Sequence, residues 1–292
     1  MEKKKRRFGD RKDGTWLRDI DSLHRMGPYL LRNRADREAF MEETIDLTRA
    51  KEYLAKKNAA KPEFTYSLFQ LICSAIVKTL VLRPKMNRFI AGRRVYQRNY
   101  LSVAFVAKNS FHDDGAESLI MFYVDEDNTL DDMHDLMEKK LNEVRKQGVV
   151  DNSTDVMDKL TRMPRPLLAV VSRILLILDY FGRVPYGLIK EEPNYSSIFL
   201  TNLGSISLNA AYHHLNNFGT NSVFIIIGKK GPLPFYDKQG NVEMRDSLKI
   251  GITLDELIAD GYYYSRSIKL FKYLMEHPAL LENPANEEVK YD

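Results

Sequence analysis

Thr201-Asn202-Leu203-Gly204-Ser205 and Asp255-Glu256-Leu257-Ile258-Ala259-Asp260-Gly261 are the two stretches whose reading decides the fold. The first closes a β-branched and aromatic run, Ser197 to Thr201; Ser222 to Gly228 is a second such run, and both read as central strands. The other stretch follows a strand-like segment, Ser247 to Leu254, and precedes a helix that begins near Tyr262 and ends before Pro278. Between them, Phe235 to Arg245 reads as a hairpin turning at Lys238-Gln239-Gly240-Asn241.

Upstream, Leu68, Leu71, Ile72, Ala75, Ile76 and Leu80 recur at helical spacing, which predicts a helix from Phe64 to Leu82, with Thr65 as its cap and Pro84 as its stop. A hairpin around Gly92 follows. Leu101 to Ala107 and Leu119 to Val124 then read as neighbouring strands joined by a His112-Asp113-Asp114-Gly115 turn. Thr129, with Asp131 and Asp132 behind it, caps a helix whose apolar face is Met133, Leu136, Met137, Leu141 and Val144 and which Gly148 closes. Helices and strands alternate without a linker, so the pattern predicts one α/β domain.

The 292 residues hold 44% hydrophobic and 29% charged side chains, a globular composition that excludes a disordered chain. The net charge of +4 is unevenly placed. Residues 1–18 carry eight basic groups (Lys3, Lys4, Lys5, Arg6, Arg7, Arg11, Lys12 and Arg18) against three acidic ones, and the rest is nearly neutral. This predicts a detachable basic extension over residues 1–24, ahead of a single domain over 25–292. A neutral body has no electrostatic footprint for nucleic acid. The lone Cys73 sits in an apolar helical stretch and reads as core; it forms no intrachain disulfide and fits a cytoplasmic protein. No secretory signal pattern opens the chain. The longest apolar run, Leu167 to Leu178, is too short to span a bilayer.

Taken together, the Phe64 to Leu82 helix leading into Arg83-Pro84-Lys85-Met86-Asn87, the Leu101 to Ala107 strand, the Asn202-Leu203-Gly204 turn, the Val223 to Gly228 strand with its Gly-Lys ending, and Asp260-Gly261 followed by a helix and His277-Pro278 resemble, in order and spacing, one family. It is the catalytic domain of the 2-oxoacid dehydrogenase dihydrolipoamide acyltransferases and, more distantly, chloramphenicol acetyltransferase. The resemblance covers roughly residues 25 to 285. It implies a two-layer α/β sandwich with a mixed sheet and helices on one side, and a homotrimer with active sites between subunits. Coenzyme A thioester would be the cosubstrate, with no metal and no covalent lipoyl group. It also implies that Thr201 stabilises the tetrahedral oxyanion and that Asp260 orients the active-site loop through an arginine, for which Arg32 and Arg34 are the candidates. The position of the family's catalytic histidine falls on Glu256.

A base is needed because a thiol ionises near 8.5 and an alcohol far higher; a glutamate, at about 4.3, serves only if burial raises it by roughly two units. Ile258, Ala259 and nearby tyrosines are candidates for such an apolar setting. The other reading of Glu256 is an exposed carboxylate in a fold that no longer catalyses, and the residues do not choose between them. His213 and His214, about ten residues beyond the turn, are alternative bases. On a regular element neighbouring side chains diverge, so at most one of the two would face a substrate; a packed, hydrogen-bonded imidazole is the competing role. No third ligand supports zinc at the pair. For Thr201 the competing role is the end of a buried strand, and for Asp260 a helix cap.

Residues 165–189 form an insertion-like element, and an all-round apolar helix is normally buried. Roof of an acceptor channel, subunit contact and interfacial helix all remain open for it; the first would suit a small-molecule or lipid-like acceptor. The basic extension would add weak attraction to an anionic membrane surface. Neither a lipoyl nor a subunit-binding domain is recognised in the chain, so a stand-alone acyltransferase is expected rather than a member of a large complex. Nucleotide-binding glycine motifs are lacking. The first functional expectation is a coenzyme-A-dependent acyltransferase; the second is a catalytically inactive trimeric scaffold or regulator of the same fold.

Overall fold

The computed structural model describes residues 7–108, 117–147 and 160–291; the expected His112 to Gly115 turn, Gly148 and the Lys3 to Arg6 part of the basic run lie outside them. In chain order the elements are β1 (Gly14–Trp16), α1 (Ser22–Leu30), β2 (Glu38–Asp46), α2 (Thr48–Asn58), α3 (Leu68–Leu82), β3 (Arg88–Ala91), β4 (Arg94–Arg98), β5 (Leu101–Lys108), β6 (Glu117–Val124), α4 (Leu130–Gln147), α5 (Arg165–Tyr180), α6 (Tyr186–Ile189), β7 (Ile198–Asn202), β8 (Val223–Tyr236), β9 (Val242–Asp255) and α7 (Gly261–Glu276).

Six strands form one mixed sheet in the order β2-β9-β8-β7-β5-β6. β7 runs parallel to both β5 and β8, and the other neighbours are antiparallel. The two runs expected to be central strands are β7 and the first half of β8. Strand alternation sends Leu200, Ile225 and Ile252 into the large core shared with α2, α3, α4 and α7, and sends Phe199, Phe224 and Ile226 into a smaller cluster on the other face. Helices therefore cover one side of the sheet, as expected. A second, three-stranded sheet is built from β1, β4 and β3.

The long apolar helix starts later than its pattern suggests. Ser67, not Thr65, is the cap: its hydroxyl accepts from the Gln70 amide, and the Gln70 side chain accepts in turn from the Ser67 amide at 2.8 Å. Ser67→Ala is expected to lower stability by about 1 kcal/mol in chemical denaturation, with Thr65→Ala leaving the midpoint unchanged. Thr129 caps α4 as expected, exchanging hydrogen bonds with Asp132.

One expectation is corrected here. Residues 10–18 are not a detachable tail. β1 pairs with β4, Trp16 facing Tyr96, and Arg11 is 4% exposed, bound to Asp13 at 2.7 Å and to Asp179 at 3.3 Å. Of the roles left open for helix α5, subunit contact and interfacial helix both suit its exposure. Asp179 is its one buried residue, while Leu167, Val170, Ile174 and Ile177 are each about half exposed. The described residues half-bury one stripe of this helix, Leu168, Val171, Leu175 and Leu178, and leave its other apolar side uncovered. No described helix is long and apolar enough to cross a membrane.

Candidate functional site

Glu256 stands at the tip of a loop in which nearly every neighbouring group is tied down. The Asp255 amide donates to the Ser222 carbonyl and the Glu256 amide to the Arg37 carbonyl. Asp255 Oδ2 accepts from Arg37 Nε at 2.8 Å in an ion pair 0% and 5% exposed at its side chains, and Asp255 Oδ1 accepts from the Leu257 amide. Tyr264 Oη accepts from the Ala259 amide at 3.0 Å and donates to the Asp255 carbonyl at 3.1 Å. Burial pushes that phenol well above its ordinary range, so it remains a donor. Leu257, Ile258 and Ala259 turn inward and are buried, and Glu256 is left exposed. Among the described residues no apolar setting surrounds Glu256, because those neighbours pack under the loop rather than around the carboxylate.

Asp260 is a helix cap. Its carboxylate accepts from the Tyr263 amide at 2.9 Å, which holds it below the ordinary carboxyl range, and its ion-pair partner is Lys85 at 4.0 Å. It meets neither Arg32 nor Arg34. Arg34 donates instead to the carbonyls of Asn221 and Gly219, and the ion pair that fixes the loop is Arg37 with Asp255.

Thr201 ends β7, half-buried, and its hydroxyl makes no hydrogen bond among the described residues. It projects from the same sheet face as Phe199. Across that face runs a strap, residues 207–215. Its Leu208 carbonyl accepts from the Lys229 amide, and the Leu215 amide donates to the Glu38 carboxylate. Gly228 and Gly251 make the crossing feasible. A Cβ at position 228 would collide with the backbone of Ala210, and one at 251 with the Ala211 carbonyl. Tyr212 meets Phe40 edge to face, and His213 stacks on Phe224 with ring centroids 4.4 Å apart.

The strap is irregular, so the divergence expected of His213 and His214 does not apply. Their rings stack on one another at 4.5 Å, and His213 Nδ1 lies 2.7 Å from the His214 carbonyl. Thr201 and His213 therefore share a face, a few residues apart in register. Glu256 lies elsewhere. Thr201 is level with Ile226 and Gly251, and Glu256 is five residues further along, roughly 17 Å of strand.

With this geometry established, solved structures of the same shape are informative. A probable dihydrolipoamide acetyltransferase from Listeria monocytogenes superposes with a TM-score of 0.58 at 11% identity, over 90% of this chain and 95% of that one. The dihydrolipoamide acetyltransferase of Azotobacter vinelandii, studied for the role of a serine, a histidine and an asparagine in its catalytic mechanism, gives 0.58 at 14% identity over 91% and 93%. Chloramphenicol acetyltransferase gives 0.51 at 14% over 90% and 98%. The fold is that of these acyltransferases. No protein-family profile and no curated protein matches the sequence.

Within this acyltransferase fold, sequence reasoning missed Arg37, Arg98 and Arg11. Arg98 is 2% exposed and donates to the Tyr195 carbonyl at 2.7 Å and to the Thr220 hydroxyl and carbonyl. The available signal was weak. Arg34 and Arg37 sit three apart in a polar run just before a strand, a pattern that composition assigns to the surface.

Proposed function

We propose that the protein is an acyltransferase that moves an acyl group from a coenzyme A thioester to a small or lipid-like acceptor, at a site completed between copies of the chain in a homotrimer. The observation that carries this reading is the presentation of Glu256, an exposed carboxylate on a loop locked by the Arg37–Asp255 pair, far from Thr201 of its own chain. A single chain leaves the two apart, and a second copy is what would bring them together and dry the carboxylate. The spacing also supports it. The histidine and asparagine studied in the Azotobacter enzyme are four positions apart, as are Glu256 and Asp260.

In this mechanism Glu256 takes the proton of the acceptor's hydroxyl or thiol as that atom adds to the thioester carbonyl. The Thr201 hydroxyl donates to the resulting oxyanion. Collapse expels the coenzyme A thiolate, which recovers the proton from Glu256. His213 is the alternative base, being on the Thr201 face. The exposed apolar side of α5 is the surface we assign to contact between copies, and the basic run near the N-terminus adds weak attraction to anionic membrane surfaces. A cytoplasmic location is part of this proposal, and a single free cysteine, Cys73, supports a reducing compartment.

The test is acyl transfer and hydrolysis with acetyl-CoA and longer acyl-CoA, together with the mass of the assembly in solution. Glu256→Gln is expected to lower the rate at least tenfold, about 1.4 kcal/mol in the barrier, with His213→Ala close to wild type. Equal rates in all three would remove both bases. Coenzyme A binding without turnover would leave the inactive scaffold.

A further inference from the structure

Beneath the C-terminal end of α5, between the end of α1 and the β3–β4 turn, lies a cavity of about 220 Å³ with Arg32, Arg34, Arg37 and Arg93 on its wall. Among the described residues lining it, Asp179 is the one acid, and its oxygens are already engaged by Arg11, by the Tyr195 hydroxyl at 2.6 Å and by the Gly219 amide. Arg37 has its carboxylate in Asp255, which is fully buried and does not line the cavity. Arg34 has none. It is 4% exposed and spends its donors on two backbone carbonyls. Arg32 and Arg93 are exposed and form no ion pair among the described residues; Arg93 lies over the Tyr29 ring.

The charge is therefore unbalanced where it is most costly. Burial pulls Arg34 down to about 10; Asp255 and Asp179 oppose this, while Arg37 and Arg98 add to it. A guanidinium withdrawn from water normally has an anion against it. Arginine forks match the geometry of phosphate oxygens, and four arginines line this one space. At about 30 Å³ per water, the cavity has room for a tetrahedral oxyanion with several attached atoms or waters.

We propose that this cavity is an anion site that takes a phosphoryl group, supplying the counter-charge that Arg34 lacks. It lies beside residues 217–219, ahead of the N-terminal end of β8, whereas Thr201 lies at the C-terminal end of β7. The inference does not depend on acyl transfer. Two sources share the chemistry: free inorganic phosphate, and the phosphate ester of a larger ligand such as coenzyme A.

Calorimetric titration of the full chain with inorganic phosphate, at ionic strength held constant with sodium chloride, is the test. Wild type is expected to bind one phosphate per chain saturably and to unfold at a higher temperature in its presence. Arg32→Gln/Arg93→Asn removes two exposed charges, and asparagine tolerates the left-handed backbone at position 93, where φ is 61°. This variant is expected to keep the wild-type unfolding temperature without phosphate and to bind phosphate at least tenfold more weakly. No saturable binding in wild type, or equal binding in the variant, overturns the site. Competition then identifies the source. Displacement of phosphate by coenzyme A, but not by its form lacking the 3′-phosphate, supports the site with the ester as ligand, and displacement by neither supports it with free phosphate. Since the readout is binding, an inactive enzyme would not disguise a working anion site, nor the reverse.

Discussion

A chain beginning at residue 19 is expected to unfold about 3–5 kcal/mol more easily than the full protein, out of a total that for a domain is about 5–15 kcal/mol. The loss comes from Arg11. Burial works against its charge, but the hydrogen bond and charge of Asp13, with Asp179 behind, outweigh burial and hold the guanidinium above its ordinary range. Its Nη1 donates to the Asp179 carbonyl at 2.6 Å, and its plane lies over Phe89 and Tyr96. Without it Asp179, 6% exposed, keeps a phenol and one amide but no cation. Truncation also exposes the edge of β4 that β1 covers. Urea denaturation should be compared for the full chain, the truncated chain and Arg11→Met. A similar loss in the last two assigns the effect to the guanidinium, whereas an unchanged truncated chain would restore the view of a dispensable tail.

Asp255→Asn carries a comparable penalty, about 3–5 kcal/mol, for a different reason. The substitution keeps the shape of the side chain and removes the one carboxylate that pairs with Arg37 among the described residues, leaving its guanidinium buried with the like charge of Arg34 nearby. Replacing both partners with apolar residues, Arg37→Met with Asp255→Leu, is expected to recover much of the loss, since a buried pair contributes little beyond its own desolvation. A double-mutant cycle in chemical denaturation measures the coupling. Additive single losses would show that the pair does not act as one unit.

How far the sequence could be read depended on the range of the interaction involved. Strand runs such as Ser197 to Thr201 and Ser222 to Gly228, and the helix ending at Pro84, follow from side-chain periodicity and backbone restriction, which are local. The mixed sheet and the acyltransferase fold came with the resemblance that several such elements carry in order, and the solved structures bear out the fold. Asp260 was left with two roles because one carboxylate before a helix serves equally as a cap or as half of an ion pair. Which it becomes depends on where Arg37, over 200 residues away, happens to lie. Arg11 was misread for the same reason: within the first 18 residues it is one cation among eight, and its burial is decided by Asp179 on α5. The exposure of α5 was unreadable in another way. Periodicity reports that a helix is apolar all round but not whether its cover belongs to the same chain.

The glycines beneath the strap give the sheet an unusual kind of control. Gly228 and Gly251 leave a furrow one side chain deep, and the strap is fastened on either side of it, to Lys229 at one end and to Glu38 at the other. The height at which His213 rides over Phe224 is therefore set by the floor and not by the strap's own residues. Adding a single methyl to that floor acts as a shim, lifting an imidazole that it never touches.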